Sequence, residues 1–344
     1  MTKRDTTKAV RLLSGILLVF LLIVLIVMAA ENSKAQIPDI TDLFPEVADD
    51  LSKVTWAHAV NSKEDLKKYI DDDTIMMLEA DILPGRLEGA DPSEPLIPIM
   101  AHPPAVESDI SFEMWIDEVI KANKDGQKKG AKLDFKDISI VAECLKILQN
   151  RTEQITFPLW LNADILKGPV GSTREPVDGD KFLPLCVETF PLATLSVGWT
   201  TTYTTDDDEN ALYTKEMTEE MAALLESKSV AQPVTFPIRA AFVPRSIENL
   251  DWLVENVPES TITVWSSSSD TIDVQALLSL RDAVGNDSVY FDLPEEQKEE
   301  FDEAKKAEEN AAAPSFQILP ANASAWATAA IALGSALAAL YLYD

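Results

Sequence analysis

The chain is predicted to be an α/β protein whose middle region closes into a (β/α)8 barrel, and three observations carry that prediction. Short runs of β-branched and aromatic residues recur between about Val54 and Pro294. Each is followed by a stretch whose apolar residues fall on one helical face. The alternation yields eight strand candidates over about 240 residues, which suits a closed barrel of parallel βα units better than an open doubly wound sheet.

In chain order, the strands are read at 54–57, 75–79, 131–135, 159–162, 194–198, 234–238, 261–265 and 288–292. The first is Val54-Thr55-Trp56-Ala57, and Thr261-Ile262-Thr263-Val264-Trp265 shows the same β-branched and aromatic bias. Helices are read between them at 63–70, 112–121, 138–148, 180–189, 215–226, 247–257 and 274–281. The second shows the one-sided spacing most plainly, with Phe112, Trp115, Ile116, Val119 and Ile120 on one face. The barrel is placed at 45–294.

The two ends read differently. Lys3, Arg4, Lys8 and Arg11 precede an apolar stretch from Leu12 to Ala30 broken only by Ser14 and Gly15, so residues 1–35 are expected to be a signal peptide or a signal anchor. With the positive flank held in the cytoplasm, the rest is expected in the secretory pathway, at the cell surface or outside the cell. Sequons at Asn150, Asn286 and Asn322 agree with a glycoprotein. Residues 295–320 are read as an acidic, solvated stalk. The apolar tail at 321–344 is read as a GPI signal or a transmembrane helix.

Lys and Arg number 29 against 58 Asp and Glu, a formal charge of −29, which excludes nucleic acid as a partner because phosphates would be repelled rather than neutralised. The two cysteines, Cys144 and Cys186, lie among apolar neighbours and are expected to be buried free thiols.

A barrel of this kind builds its site at the C-terminal ends of its strands. Those positions hold His58, Glu79 with Asp81, Asp134 with Lys136, Asn162 with Asp164, Trp199, Arg239, Trp265 and Asp292. His58 and His102 are the only histidines in the chain, and they flank Glu79 and Asp81 in sequence. Strand alternation sends Glu79 and Asp81 to one side. Carboxylates that close repel unless a cation or a proton intervenes, so Glu79, Asp81 and Asp134 are expected to hold a divalent metal. An all-oxygen donor set favours Mg2+ or Ca2+. Asn162, Asp164 and Asp292 can equally be caps of the helices after their strands.

The words Trp56-Ala57-His58-Ala59-Val60-Asn61-Ser62, Leu78-Glu79-Ala80-Asp81, Pro98-Ile99-Met100-Ala101-His102-Pro103-Pro104, Lys132-Leu133-Asp134-Phe135-Lys136, Trp160-Leu161-Asn162-Ala163-Asp164 and Gly198-Trp199-Thr200-Thr201 resemble the menorin family of secreted and membrane-tethered animal proteins. The resemblance runs through nearly all of the middle region. That family's domain is in turn similar to the phospholipase C-like barrels of glycerophosphodiester phosphodiesterases and sphingomyelinase D. The resemblance implies that His58 and His102 are an acid/base pair, that Glu79, Asp81 and Asp134 are metal ligands, and that Lys136 contacts a phosphate. Two positions depart from the enzyme pattern: Ala59-Val60 stands where an Arg-Gly is usual, and Pro103 where an Asp is usual. Losing that arginine removes a bidentate phosphate contact.

The function expected is metal-assisted cleavage of a phosphodiester, lipid-derived ones included, with Arg239 steadying the phosphate and Trp199 and Trp265 lining the alcohol side. The alternative is a non-catalytic extracellular recognition module that keeps the barrel and metal site and binds a cell-surface protein. Carbohydrate processing by Glu79 and Asp81 fits poorly, because two carboxylates on one strand do not flank a substrate.

Overall fold

A computed structural model describes residues 37–203 and 210–312. The N-terminal apolar stretch, the C-terminal tail and Asn322 lie outside them. No helix among the described residues is long and apolar enough to cross a membrane.

Ten strands form one sheet: β1 (Trp56–Ala57), β2 (Met77–Leu87), β3 (Ile97–Met100), β4 (Glu107–Ser108), β5 (Gly130–Phe135), β6 (Leu159–Lys167), β7 (Thr194–Thr200), β8 (Val234–Arg239), β9 (Ser260–Trp265) and β10 (Val289–Asp292). Eight of them, in the order β1-β2-β5-β6-β7-β8-β9-β10, are parallel neighbours joined through helices, which makes a (β/α)8 TIM-type barrel. Each helix expected between strands is present, and side chains at their N-termini set where several begin. Ser62, Ser111 and Thr214 accept backbone N–H groups of the helices Lys63–Ile70, Phe112–Lys124 and Lys215–Ser227.

β3 and β4 were not anticipated. β2 runs eight residues past its expected end, to Leu87, and β3 folds back antiparallel on that extension with Pro84 opposite Pro98. A proline inside the short run 97–101 argues against a strand in sequence. It is accommodated because β2 is the only strand that β3 pairs with; its other side carries just an isolated bridge from Ile99 to Ser111, so Pro98 needs no ladder partner there.

The period of two sorts the interior into layers. At the N-terminal end, Trp56, Trp160 and Tyr290 meet edge to face with ring centroids 5.0–6.3 Å apart. Ile40, Phe44, Val47 and Leu51 close that end, so the fold's core recruits residues before position 45. Above them Ser196 donates to Asn162 Oδ1 at 2.5 Å, and Thr235 meets Thr263 at 2.7 Å. These hydroxyl pairs satisfy buried polar groups beneath the charged rim.

Among the described residues β1 and β10 each pair on one side only, so the barrel is nearly closed. Side chains bridge the seam: His58, just after β1, bonds to Asp292 at the end of β10 (Nδ1 to Oδ2, 3.0 Å), and Trp56 packs on Tyr290. Cys144 and Cys186 are free and buried, and burial pushes both thiols well above their usual range. The barrel unit extends to Phe301, whose buried ring stacks on Phe291 at 4.2 Å, so the segment read as a stalk from residue 295 begins inside the barrel unit. From residue 302 to 312 the described chain is helical, and through 311 it is mostly exposed.

Gly198 on β7 faces the interior, opposite Asp164. A Cβ there would stand 2.6 Å from Pro237 Cγ and 3.1 Å from Asp164 Oδ1. Gly198→Ala is therefore expected to lower stability by about 1–3 kcal/mol through overpacking. An unchanged thermal midpoint would show that β7 and β8 can separate freely.

Candidate functional site

The C-terminal ends of the strands open on a cleft of about 460 Å3 lined by His58, Glu79, Asp81, His102, Asp134 and Lys136 among others. A larger groove, about 580 Å3, lies outside the barrel between the helices Lys63–Ile70 and Phe112–Lys124, but its charged residues sit along open helix faces. Chemistry rather than size marks the rim cleft.

Glu79 and Asp81 come from β2 and Asp134 from β5. The register sets Asp81 beside Asp134, and ligand oxygens of all three lie within 4.8 Å of one another. Each acid is held by a different device. The turn after β1 takes Ala59 into the left-handed region (φ 55°), which aims its N–H at Glu79 Oε2 at 2.8 Å. Asn61 clasps Asp81 at both ends, donating to Oδ2 at 2.7 Å and accepting the Asp81 N–H at 2.9 Å. Lys136 Nζ lies 2.9 Å from Asp81 Oδ1 and also bonds Asp134.

The electrostatics show a cluster short of positive charge. Burial pushes Glu79 up to about 7, with Asp81 adding to the rise and His58 opposing it. Burial likewise lifts Asp164 to about 7, with the charge of Asp134 adding. Burial acts to raise Asp81 too, but Lys136 and the Asn61 bond overcome it and hold Asp81 low. Lys136 is desolvated, yet Asp134, Asp81 and Asp164 keep it well above its usual value. Buried acids kept partly protonated by burial and like charge are the environment that a divalent cation relieves. The oxygen-only donors fit Mg2+ or Ca2+.

The two histidines are built differently. His58 is half exposed and gives Nδ1 to Asp292 at 3.0 Å, with Glu79 Oε2 at 3.7 Å, which leaves Nε2 as the nitrogen available to the cleft. The charge of Glu79 raises it to about 10 against the opposing effect of burial, and Asp292 adds to the rise. The ring protons of His58 in the metal-free protein are therefore expected to report a charged imidazole throughout neutral pH. Glu79→Gln, which removes the largest cause, is expected to bring the titration down, as proton NMR will read. A titration near 6.5 in wild type would remove this picture of the site. His102 is exposed and bonds Pro103 O through Nδ1 at 2.7 Å. The β3 hairpin brings it to the rim, because Ala101 N–H donates to Asp81 O at 3.0 Å.

Arg239 reaches the cleft, but its guanidinium is bidentate to buried Asp270 (2.6 and 2.7 Å) and stacks near Tyr203 and Trp265, each ring 5.1 Å away. Its fork is thus spent on Asp270 rather than offered to a phosphate. Trp265 lines the cleft. Trp199 does not. It is buried against Tyr213 and Phe236, at 5.2 and 6.3 Å between ring centroids. Strand alternation explains the correction: Ser196 points inward to Asn162, so position 199 falls on the opposite, helix-facing side of β7. Asp292 proves to hold His58 rather than to cap a helix. Asn61, Lys132, Asp270 and Arg174 also belong to this site or its support and were given no role from sequence, although Asn61 and Lys132 stand inside the quoted motif words.

A model of the menorin N-terminal domain matches residues 50–298. The human protein FAM151B is 38% identical over 257 residues, covering 75% of this chain and 88% of that protein. Among solved structures, 2,3-dimethylmalate lyase, a member of the PEP mutase/isocitrate lyase superfamily, aligns with a TM-score of 0.41 at 10% identity, covering 83% of this chain and 92% of its own. Oxaloacetate acetylhydrolase aligns at 0.40 and 12%, covering 73% and 79%. At such scores these two likenesses carry no argument about chemistry.

Proposed function

Since the chain belongs to the menorin family, matched through residues 50–298, we propose that its rim cleft is a metal-dependent phosphodiesterase site. The observation that carries this reading is the convergence of three carboxylates within 4.8 Å in the same cleft as both histidines and Lys136. Glu79, Asp81 and Asp134 would hold Mg2+ or Ca2+, which supplies positive charge to a nonbridging phosphoryl oxygen. Lys136, between Asp81 and Asp134, steadies the same anionic group. His58, charged and oriented by Asp292, donates its Nε2 proton to the leaving oxygen as the P–O bond breaks. His102 takes the proton of the attacking water or hydroxyl as the new P–O bond forms. Among the described lining residues only Pro237 and Trp265 are apolar, which favours a phosphodiester whose bound part is a polar headgroup.

The test is a panel of soluble glycerophosphodiesters, lysophospholipids and sphingomyelin, assayed with Mg2+ or Ca2+ and with chelator. Turnover of at least one member, lost on chelation and restored by the cation, is expected. A second reading rests on one observation: Arg239 is committed to Asp270, and Ala59-Val60 provides no replacement guanidinium. A protein that binds the cation yet turns over nothing would favour a recognition module with a cell-surface partner. Membrane tethering within the secretory pathway belongs to this proposal and rests on the sequence of the two ends.

A further inference from the structure

Lys132 is a buried charge in this cleft that neither the metal cluster nor the acid/base pair uses. It lies on β5 two residues before Asp134 and four before Lys136, so the pleat turns all three inward. The register places it between Glu79 of β2 and Trp160 of β6. Its side chain is only 4% exposed, yet it lines the cleft.

What surrounds its ammonium does not satisfy it. Nζ stands 4.0 Å from Asp292 Oδ2, beyond hydrogen-bond reach, and 5.7 Å from the centre of the Trp56 ring. That Asp292 oxygen is already engaged by His58 at 3.0 Å. No described residue accepts a hydrogen bond from Lys132. Lys129, just before the same strand and also buried, shows the contrast: it gives its donors to Asp72 O and Ile75 O at 2.5 and 2.6 Å. An ammonium on a side chain this buried, with three donors, one ion-pair partner at 4.0 Å and no hydrogen-bond acceptor among the described residues, carries a desolvation penalty that a bound anion would relieve.

We infer that Lys132 forms the floor of an anion subsite, in which its ammonium donates to a phosphoryl oxygen of the bound ligand while Lys136 and the carboxylate cluster hold another. This rests on the phosphodiester reading and assigns it a further ligand-contacting group. Two fixed cations on one strand, on either side of Asp134, grip the phosphoryl group from the floor and from the rim. They also explain how a chain of charge −29 admits an anion. Of the charged residues lining the cleft, Lys132, Lys136 and Arg174 stand against Glu79, Asp81, Asp134 and Asp164, Arg239 being committed to Asp270, so the cations offset most of the acids and a bound divalent metal covers the rest.

The experiment is calorimetric titration of the full chain, saturated with Mg2+, with inorganic phosphate and with a soluble glycerophosphodiester, alongside flotation with zwitterionic phospholipid vesicles. Lys132→Met keeps the length of the side chain and removes the charge. It is expected to weaken phosphate binding by about 10- to 100-fold, the worth of a charge-assisted hydrogen bond, while Mg2+ affinity measured without phosphate stays within about threefold. Should Lys132→Met fail to fold, Lys132→Gln supports the same comparison. Equal phosphate affinity in wild type and variant, no phosphate binding in wild type, or a Mg2+ affinity that falls in step would overturn the inference. Each of these outcomes leaves Lys132 as no more than a counterion to Glu79 and Asp292. Loss confined to vesicle binding would also overturn the subsite, since the shared phosphoryl contact predicts loss with the soluble probes. Lys132-dependent phosphate binding without any turnover sinks the phosphodiesterase reading and leaves the subsite standing.

Discussion

Alanine at either His58 or His102 is expected to lower phosphodiester turnover by roughly 10²–10⁴-fold, the usual contribution of a positioned acid or base. The structure separates the two. His58 is tied to Asp292 across the barrel seam, so Asp292→Asn is expected to reproduce much of the His58→Ala loss, by freeing the ring and removing the charge that favours its imidazolium. His102 is exposed and, among the described residues, its side chain hydrogen-bonds only to the Pro103 carbonyl, so His102→Ala is expected to leave the thermal midpoint unchanged while turnover falls. Loss of the His58 proton defines the alkaline limb of the rate profile. Full activity in both alanine variants would end the acid/base proposal.

Asp81→Asn is expected to weaken Mg2+ or Ca2+ binding by more than about 100-fold. Loss of a supporting partner behind a metal ligand commonly costs 10- to 100-fold, and Asp81 is proposed as a ligand itself. Calorimetry on the wild type should also show a proton leaving on binding near neutral pH. Burial holds Glu79 at about 7, so below that pH the cation must displace a proton. Affinity therefore rises as pH increases through 7 and levels off above it. Heats independent of the buffer's ionisation enthalpy, or an Asp81→Asn protein that binds as wild type does, would rule out this metal site.

Several features of the site were legible in the chain because they follow from the two-residue period of a strand. Glu79 with Asp81, and Lys132 with Asp134 and Lys136, share one side at that spacing, and a barrel whose strands are parallel must gather their C-terminal ends at one rim. The same rule, applied consistently, removes Trp199: Ser196 and Gly198 take the inward side of β7, so the tryptophan between Gly198 and Thr200 packs under the helices. Being at the right end of a strand is not enough when the parity is wrong. β3 was missed because Pro98 masks a strand whose partner is the overlong end of β2, and that pairing places His102.

Local pattern, which depends on residues a few positions apart, was enough to specify the order of the eight barrel strands and their helices, the buried thiols and the identity of the acid cluster. It could not specify partners separated by most of the chain. Asp292 lies 234 residues from His58, and only the near-closure of the barrel brings β10 to β1 and converts a plausible helix cap into the anchor of a histidine. Arg239 looked free until folding set it against Asp270. Lys132 looked like one more lysine until folding set its mostly buried side chain at the cleft floor with no hydrogen-bond acceptor among the described residues. Charges are neutralised and desolvated by whatever lies nearest in space, and in this barrel those neighbours come from strands far apart in sequence.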